Sequence, residues 1–291
     1  MFGAIVGDIV GSRFEFNNYK DKSFTLFTKE CSVTDDSIMT LAVAKAIIET
    51  NKLVDSSQRK NEEFYKVLEK MTIKYIQEIG RRYPDCGYGG MFGQWIFSED
   101  PKPYNSYGNG AAMRISPVAF IANSEKELFK LTKVVTGVTH NHFKGIKGAK
   151  AVALAVYMAD NGYSKKEIKK RIEKDFYPLD FTLDDIRESY EFDVTCQGSV
   201  PQAIVAFLES NSFEDAIRNA ISIGGDSDTI GAITGSIALA YYNYYNEDYE
   251  HEDKVMGYLD SYLTDIYNEV ETIISNRLKI IIPPREDEYI K

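Results

Sequence analysis

Two short acidic clusters lie far apart in the chain: Thr34-Asp35-Asp36, and Asp226-Ser227-Asp228-Thr229 behind the pair Gly224-Gly225. Each is followed by an apolar stretch with helical spacing. Carboxylates crowded beside apolar sequence repel one another and resist ionisation unless a cation lies between them. Aspartate and threonine offer only hard oxygen donors, which suit Mg²⁺, Mn²⁺ or Ca²⁺ better than zinc. Brought together by folding, the clusters would hold one or two divalent ions, so a metal-assisted hydrolase is the first reading. Helix capping accounts for one aspartate in either cluster. It does not account for two, nor for the glycine pair.

Three further places could do chemistry. Glu15 stands in Gly11-Ser12-Arg13-Phe14-Glu15-Phe16, between two phenylalanines. A partly desolvated acid there would suit a metal ligand, a general base or a gate; an ion pair with Arg13 is the plainer alternative. The run Asn105-Ser106-Tyr107-Gly108-Asn109-Gly110-Ala111-Ala112-Met113-Arg114 is a glycine-rich turn entering a helix. Exposed N–H groups at such a start can cradle phosphate. It is neither a Walker motif nor a dinucleotide fingerprint, and a solvated turn is the default. His140 and His142, at spacing two, cannot share one helix face. No soft third ligand for zinc is evident beside them. His140 could hydrogen-bond a ligand, whereas a surface or satisfied core histidine is as good a reading of His142.

These residues need elements to position them. Gly3, Gly7 and Gly11 recur at spacing four among Ile5, Val6, Ile9 and Val10. Each glycine costs a helix interior about 1 kcal/mol relative to alanine. Three on one face imply close backbone approach, for packing or to build a site. Gly231 and Gly235 repeat the spacing after the second cluster. Helical patterns are read at 37–50, with Asp35 or Asp36 as N-cap, and at 58–79, 111–122, 126–138, 145–161, 164–174, 183–190, 200–210, 213–222, 229–245 (capped by Thr229) and 252–277. The segment Arg81 to Gly110 reads as a long loop whose Phe92, Trp95 and Phe97 argue against disorder. Strand signals are few, Ser23 to Cys31 being the best extended or hairpin candidate. The tail 278–291, with Pro283-Pro284, is expected to be extended. The last acidic cluster must meet the first, so residues 1–291 read as one domain.

Composition narrows the function. With 291 residues, 44% of them hydrophobic, the chain can bury a sizeable core. No apolar run is long enough to span a bilayer, and the N-terminal stretch lacks the pattern of a signal peptide. A net charge of −10 argues against non-specific nucleic-acid binding. It does not exclude a phosphate-bearing ligand, which a cationic metal centre can attract. Cys31, Cys86 and Cys196 are odd in number and widely spaced, as expected of inert thiols in a reducing cytoplasm.

In this order the motifs resemble the ADP-ribosylglycohydrolase family. The residues that carry the resemblance are Gly3-Ala4-Ile5-Val6-Gly7-Asp8 with Gly11 and Glu15, then Thr34-Asp35-Asp36, Tyr107 to Arg114, Thr139-His140, and Gly224 to Gly231. The resemblance implies an all-α fold of orthogonally packed helices around two divalent cations, Mg²⁺ or Mn²⁺. It implies that Thr34, Asp35 and Asp36 hold one ion and that Asp226, Asp228 and Thr229 complete the pair. Glu15 matches a glutamate that coordinates metal or guards the scissile bond, and the catalytic set would be Glu15, Asp36 and Asp226. Ser106, Tyr107, Gly108 and Asn109 match a loop that receives the diphosphate and nearby ribose, and His140 a histidine lining the cleft. Tyr88 and Gly89 would form another wall. Asn105 stands where some relatives carry glycine. The implied activity is hydrolysis of the glycosidic bond of an ADP-ribosylated protein, nucleic acid or small molecule to release ADP-ribose. Arginine-linked substrate is preferred, and the protein would act as a cytoplasmic monomer. The rival is a non-catalytic ADP-ribose-binding or structural member of the same fold, which the intact acidic set disfavours. Another two-metal phosphohydrolase would bring histidine ligands that this chain lacks.

Overall fold

The computed structural model describes residues 1–54, 61–244 and 251–281, and among them there are fifteen α-helices and no strand. In chain order these are α1 (Phe2–Ser12), α2 (Asp35–Leu53), α3 (Glu62–Gly80), α4 (Gly90–Phe97), α5 (Gly110–Met113), α6 (Ser116–Ala119), α7 (Glu125–Gly137), α8 (Phe143–Asp160), α9 (Lys165–Asp175), α10 (Leu183–Ile186), α11 (Cys196–Leu208), α12 (Phe213–Ile221), α13 (Ser227–Tyr244), α14 (Glu252–Met256) and α15 (Ser261–Ile281). The all-α expectation holds, with one isolated bridge between Gly108 and Thr195. No helix among the described residues is long and apolar enough to cross a membrane.

The glycine spacing explains how the fold is assembled. α1 and α13 pack antiparallel with their backbones in contact. A Cβ on Gly3 would lie 2.1 Å from the carbonyl oxygen of Gly235, and one on Gly7 1.9 Å from that of Gly231. A Cβ on Gly11 would lie 2.5 Å from the Cα of Asp228. Both helices are mostly apolar and buried almost all round, as central helices must be. Every residue from Phe2 to Gly11 is buried. On α13, Ile230, Ile233 and Ile237 have no exposed surface. Each such isoleucine contributes about 1.5–3 kcal/mol on burial. α8, α11 and α12 pack around α13, while α2 rests on α1 and α3.

Several expected elements come out differently. Ser23 to Cys31 forms turns rather than a strand, held by Arg218 donating to the carbonyls of Lys22 and Phe24 and by Tyr258 donating to that of Thr28. The loop 81–110 contains α4, whose two glycines hid its helical character. The expected helix 111–122 is two short helices, and Pro117 opens the second, where its missing N–H does no harm. α10 stops at Ile186, and α11 begins earlier than expected, at a Thr195 cap. The expected helix 252–277 breaks at 257–260 into α14 and α15. Residues 278–281 are helical, not extended, and 282–291 lie outside the described residues, as do 58–60 and 245. The N-cap of α2 is Thr34, not an aspartate, and Thr229 sits inside the first turn of α13.

Candidate metal centre and ligand cleft

Antiparallel packing of α1 on α13 brings the end of one helix to the start of the other. Oxygen atoms of Glu15, Asp226 and Asp228 thereby fall within 4.8 Å of one another. The first turn of α2 closes the same space, and the Thr229 hydroxyl donates to Asp36 Oδ2 at 3.1 Å. The two acidic clusters thus converge. Asp8, quoted above only as part of a motif, fixes the approach of α2. Its buried carboxylate accepts from the Thr34 amide at 3.1 Å, the Thr34 hydroxyl at 2.5 Å, the Ser37 amide at 3.1 Å and the Ser37 hydroxyl. Thr34 Oγ1 in turn accepts from the Asp36 amide at 3.3 Å, so Asp35 and Asp36 leave a fixed turn in fixed directions.

The opposite wall is built from backbone turns. Gly224 and Gly225 adopt φ of +67° and +75°, left-handed values that only glycine takes without strain. Asn18 Oδ1 accepts from the Gly225 amide at 3.1 Å, and the Tyr190 ring closes over Gly225. Asp226 Oδ2 accepts from Asn109 Nδ2 at 2.6 Å, and that nitrogen also donates to Ser199 Oγ at 3.0 Å. Asp35 lies against Gly87, whose Cβ would sit 3.2 Å from Oδ1. Sequence reasoning gave no role to Asp8, Asn18, Gly87, Tyr190 or Ser199. Only Asp8 left a signal, a charged residue inside an otherwise apolar helix.

Six carboxylates (Asp8, Glu15, Asp35, Asp36, Asp226 and Asp228) share this region, and no ion pair among the described residues reaches any of them. Arg13 does not pair with Glu15. It donates to the carbonyl of Thr25 and lies over the Phe14 ring. Burial, then the charges of Asp228 and Asp8, push Glu15 up to about 7. Burial raises Asp8 and Asp226 to about 6, against the hydrogen bonds that stabilise their charge. Asp35, Asp36 and Asp228 are raised well above the ordinary carboxylate range, first by burial and then by the charges of neighbouring carboxylates: Asp228 on Asp35 and Asp36, and Asp226 on Asp228. Asp36 Oδ1 is buried without a partner. A hard divalent cation answers each of these observations, since it compensates the charge and occupies the orphaned oxygen.

A stability prediction follows from the sign of these shifts. An acid whose folded pKa lies above its unfolded value stabilises the fold below the unfolded pKa, about 4, and loses that contribution as pH rises through the folded pKa. His140 and the Met1 amino group, both pushed towards the neutral form by burial, work in the opposite direction, but they are two groups against six. Chelator-treated protein should therefore melt at a higher temperature at pH 5 than at pH 7.5. Excess Mn²⁺ should restore the loss at pH 7.5. A melting temperature indifferent to both would contradict the electrostatic picture.

The glycine-rich turn 105–110 adjoins the acidic centre through the Asn109 contact to Asp226. Ser106 Oγ accepts from the Gly108 amide at 3.1 Å, the Asn109 amide donates to the Val194 carbonyl at 2.8 Å, and the Cys196 amide donates to that of Tyr107 at 3.0 Å. Asn105 has φ of +57°, the left-handed conformation that glycine favours and asparagine tolerates, so its presence leaves the turn intact. Tyr107 is exposed and His140 buried beside Gly108 and Gly110. The Tyr88 hydroxyl turns back to the Gly80 carbonyl at 3.2 Å, and exposed Gly89 caps α4. His142 caps α8, its Nδ1 accepting from the Lys144 amide at 3.2 Å. The cysteines are unpaired, and burial pushes the Cys86 and Cys196 thiols up to about 12.

Comparison with known proteins agrees with this arrangement. A family model described as ADP-ribosylglycohydrolase matches residues 1–246. ADP-ribosylhydrolase ARH3 of Bos taurus is 26% identical over 309 residues, covering 82% of this chain and 83% of its own. ADP-ribosylarginine hydrolase Tri1 of Pseudomonas putida is 25% identical over 263 residues, covering 83% of this chain and 69% of its own. A solved structure titled ADP-ribosylglycohydrolase-related protein complex superposes with a TM-score of 0.57 at 22% identity, covering 82% of this chain and 84% of that one. At that identity it shows the fold alone.

Proposed function

Because this chain belongs to the ADP-ribosylglycohydrolase family, we propose that it hydrolyses the glycosidic bond of ADP-ribosylated substrates, arginine-linked ones preferred, and releases ADP-ribose through a single domain. The observation that carries the reading is the convergence of six carboxylates without a cationic partner, one with an orphaned buried oxygen. Thr34, Asp35, Asp36, Asp226, Asp228 and Thr229, with Glu15 at the mouth, would hold two divalent cations, Mg²⁺ or Mn²⁺. Bound there, such ions supply positive charge that fixes the vicinal hydroxyls of a ribose and eases the deprotonation of water.

The chain's own residues do the rest. Asp8 holds Thr34 and Ser37, so the Asp35 and Asp36 carboxylates keep one orientation. Asn109 fixes Asp226 from the cleft side. Breaking the bond at the anomeric carbon builds positive character on the sugar, which the surrounding carboxylates favour. Glu15 is half-exposed beside Asp226 and Asp228, where its carboxylate can exchange a proton with water or substrate; its rise to about 7 belongs to the metal-free site. Ser106, Tyr107, Gly108, Asn109 and His140 line the diphosphate and ribose subsite, and Tyr88 with Gly89 a further wall. The Tri1 relatives, named as arginine-directed, support the linkage.

A panel of arginine-, serine- and nucleic-acid-linked ADP-ribose, incubated with Mg²⁺ or Mn²⁺, tests this directly. Release of ADP-ribose, fastest from arginine, is expected, with none in excess chelator. Tight ADP-ribose binding with no release from any substrate would favour a binding protein instead.

A further inference from the structure

Arg114, at the end of the turn 105–110 and the short helix α5, is the largest fully buried side chain among the described residues. No carboxylate pairs with it among the described residues. Its Nη2 donates to Thr139 Oγ1 at 2.6 Å and faces His140 Nδ1 at 3.5 Å. Thr139 Oγ1 is itself 2.7 Å from His140 Nδ1. Arginine can only donate. Thr139 Oγ1 therefore accepts from Arg114, keeps its own proton, and has the lone pair of His140 Nδ1 within reach. A proton on Nδ1 would instead point towards a guanidinium.

We propose that Arg114 and Thr139 are positioning residues that hold His140 as the neutral tautomer protonated on Nε2, making it a fixed hydrogen-bond donor to a ligand oxygen. Nε2 faces the turn at Gly108 and Gly110. A Cβ on Gly110 would lie 3.4 Å from it and one on Gly108 3.6 Å. Among the described residues no group accepts from Nε2. The titratable groups facing the ring are Arg114 and Tyr104, whose ring centre lies 5.8 Å away, and neither favours an imidazolium. The cationic form would place a second charge beside Arg114. Burial and Arg114 accordingly hold His140 well below its ordinary pKa.

The ligand half of this inference rests on the proposed function, since it takes ADP-ribose as the occupant of the cleft. The tautomer half does not. The chain has 3 histidines, so the rings can be told apart in ¹⁵N–¹H spectra of the full-length protein. His140 should show a proton on Nε2, a bare Nδ1 and no titration between about pH 5 and 8. Thr139→Val should bring mixed tautomers or a titrating ring and weaken ADP-ribose binding about tenfold, the worth of one hydrogen bond. Arg114→Met should let the ring titrate, and the wild-type spectrum decides the matter if that variant fails to fold. A proton on Nδ1, ordinary titration in the wild type, or an unchanged spectrum in Thr139→Val would overturn the assignment. The fixed tautomer together with no ADP-ribose binding by the wild type would uphold the relay and overturn the ligand.

Discussion

Asp36→Asn should abolish divalent-ion binding and lower the release of ADP-ribose by about 10³-fold or more, the scale of removing a preorganised electrostatic group from a buried site. Asparagine keeps one oxygen to accept from Thr229. It replaces the orphaned Oδ1 with a donor that adjacent carboxylates can accept from. One repelling charge leaves a region where burial and like charges already oppose ionisation. The metal-free variant should therefore melt no lower than the wild type at pH 7.5, while Mn²⁺ raises the melting temperature of the wild type alone. Calorimetric titration with Mn²⁺, paired with thermal melts, separates loss of the ion from loss of the fold. A variant that still binds two ions, or keeps activity within tenfold, would dismiss the proposed ligand role.

Gly7→Ala should be the most damaging single methyl group in the molecule. The added carbon would fall 1.9 Å from the Gly231 carbonyl oxygen, in the middle of two rigid, buried helices. Neither backbone can yield locally, so α1 and α13 must separate along their length. That uncovers Ile5, Ile9 and Ile233 and moves Glu15 away from Asp226 and Asp228. Losses beyond about 4–5 kcal/mol are exceptional for one substitution and come from overpacking of this kind. The expected outcome is no cooperative unfolding transition, or no folded protein. Gly137→Ala is the control. It ends α7, a Cβ there meets nothing within 4 Å, and the change should stabilise by about 0.4–1 kcal/mol. Equal melting temperatures for the two variants would refute the close-contact account.

What could be read from the sequence followed from chemistry with few alternatives. Acidic pairs beside apolar helices need compensation, and glycines at spacing four need a backbone opposite. The meeting of Gly7 with Gly231 also explains why Glu15 reaches Asp228, which neither signal states alone. The parts missed depend on tertiary partners. Asn18 and Tyr190 matter because Gly225 turns towards them, and Ser199 because Asn109 does. α4 is eight residues with two glycines, too weak by propensity, and is held by packing of Phe92, Trp95 and Ile96. Thr34 rather than an aspartate caps α2 because Asp8 draws its hydroxyl inward. The break at 257–260 had no strong signal beyond Gly257.

The pairing of α1 with α13 also sets a timetable. During synthesis α1 emerges as an almost wholly apolar segment, and its partner surface does not exist until residue 227 and beyond have left the ribosome. Long-range contacts of this kind form late and slowly. The nascent chain must shelter a sticky helix throughout, so the newborn protein should depend on chaperones far more than the finished one depends on any of them.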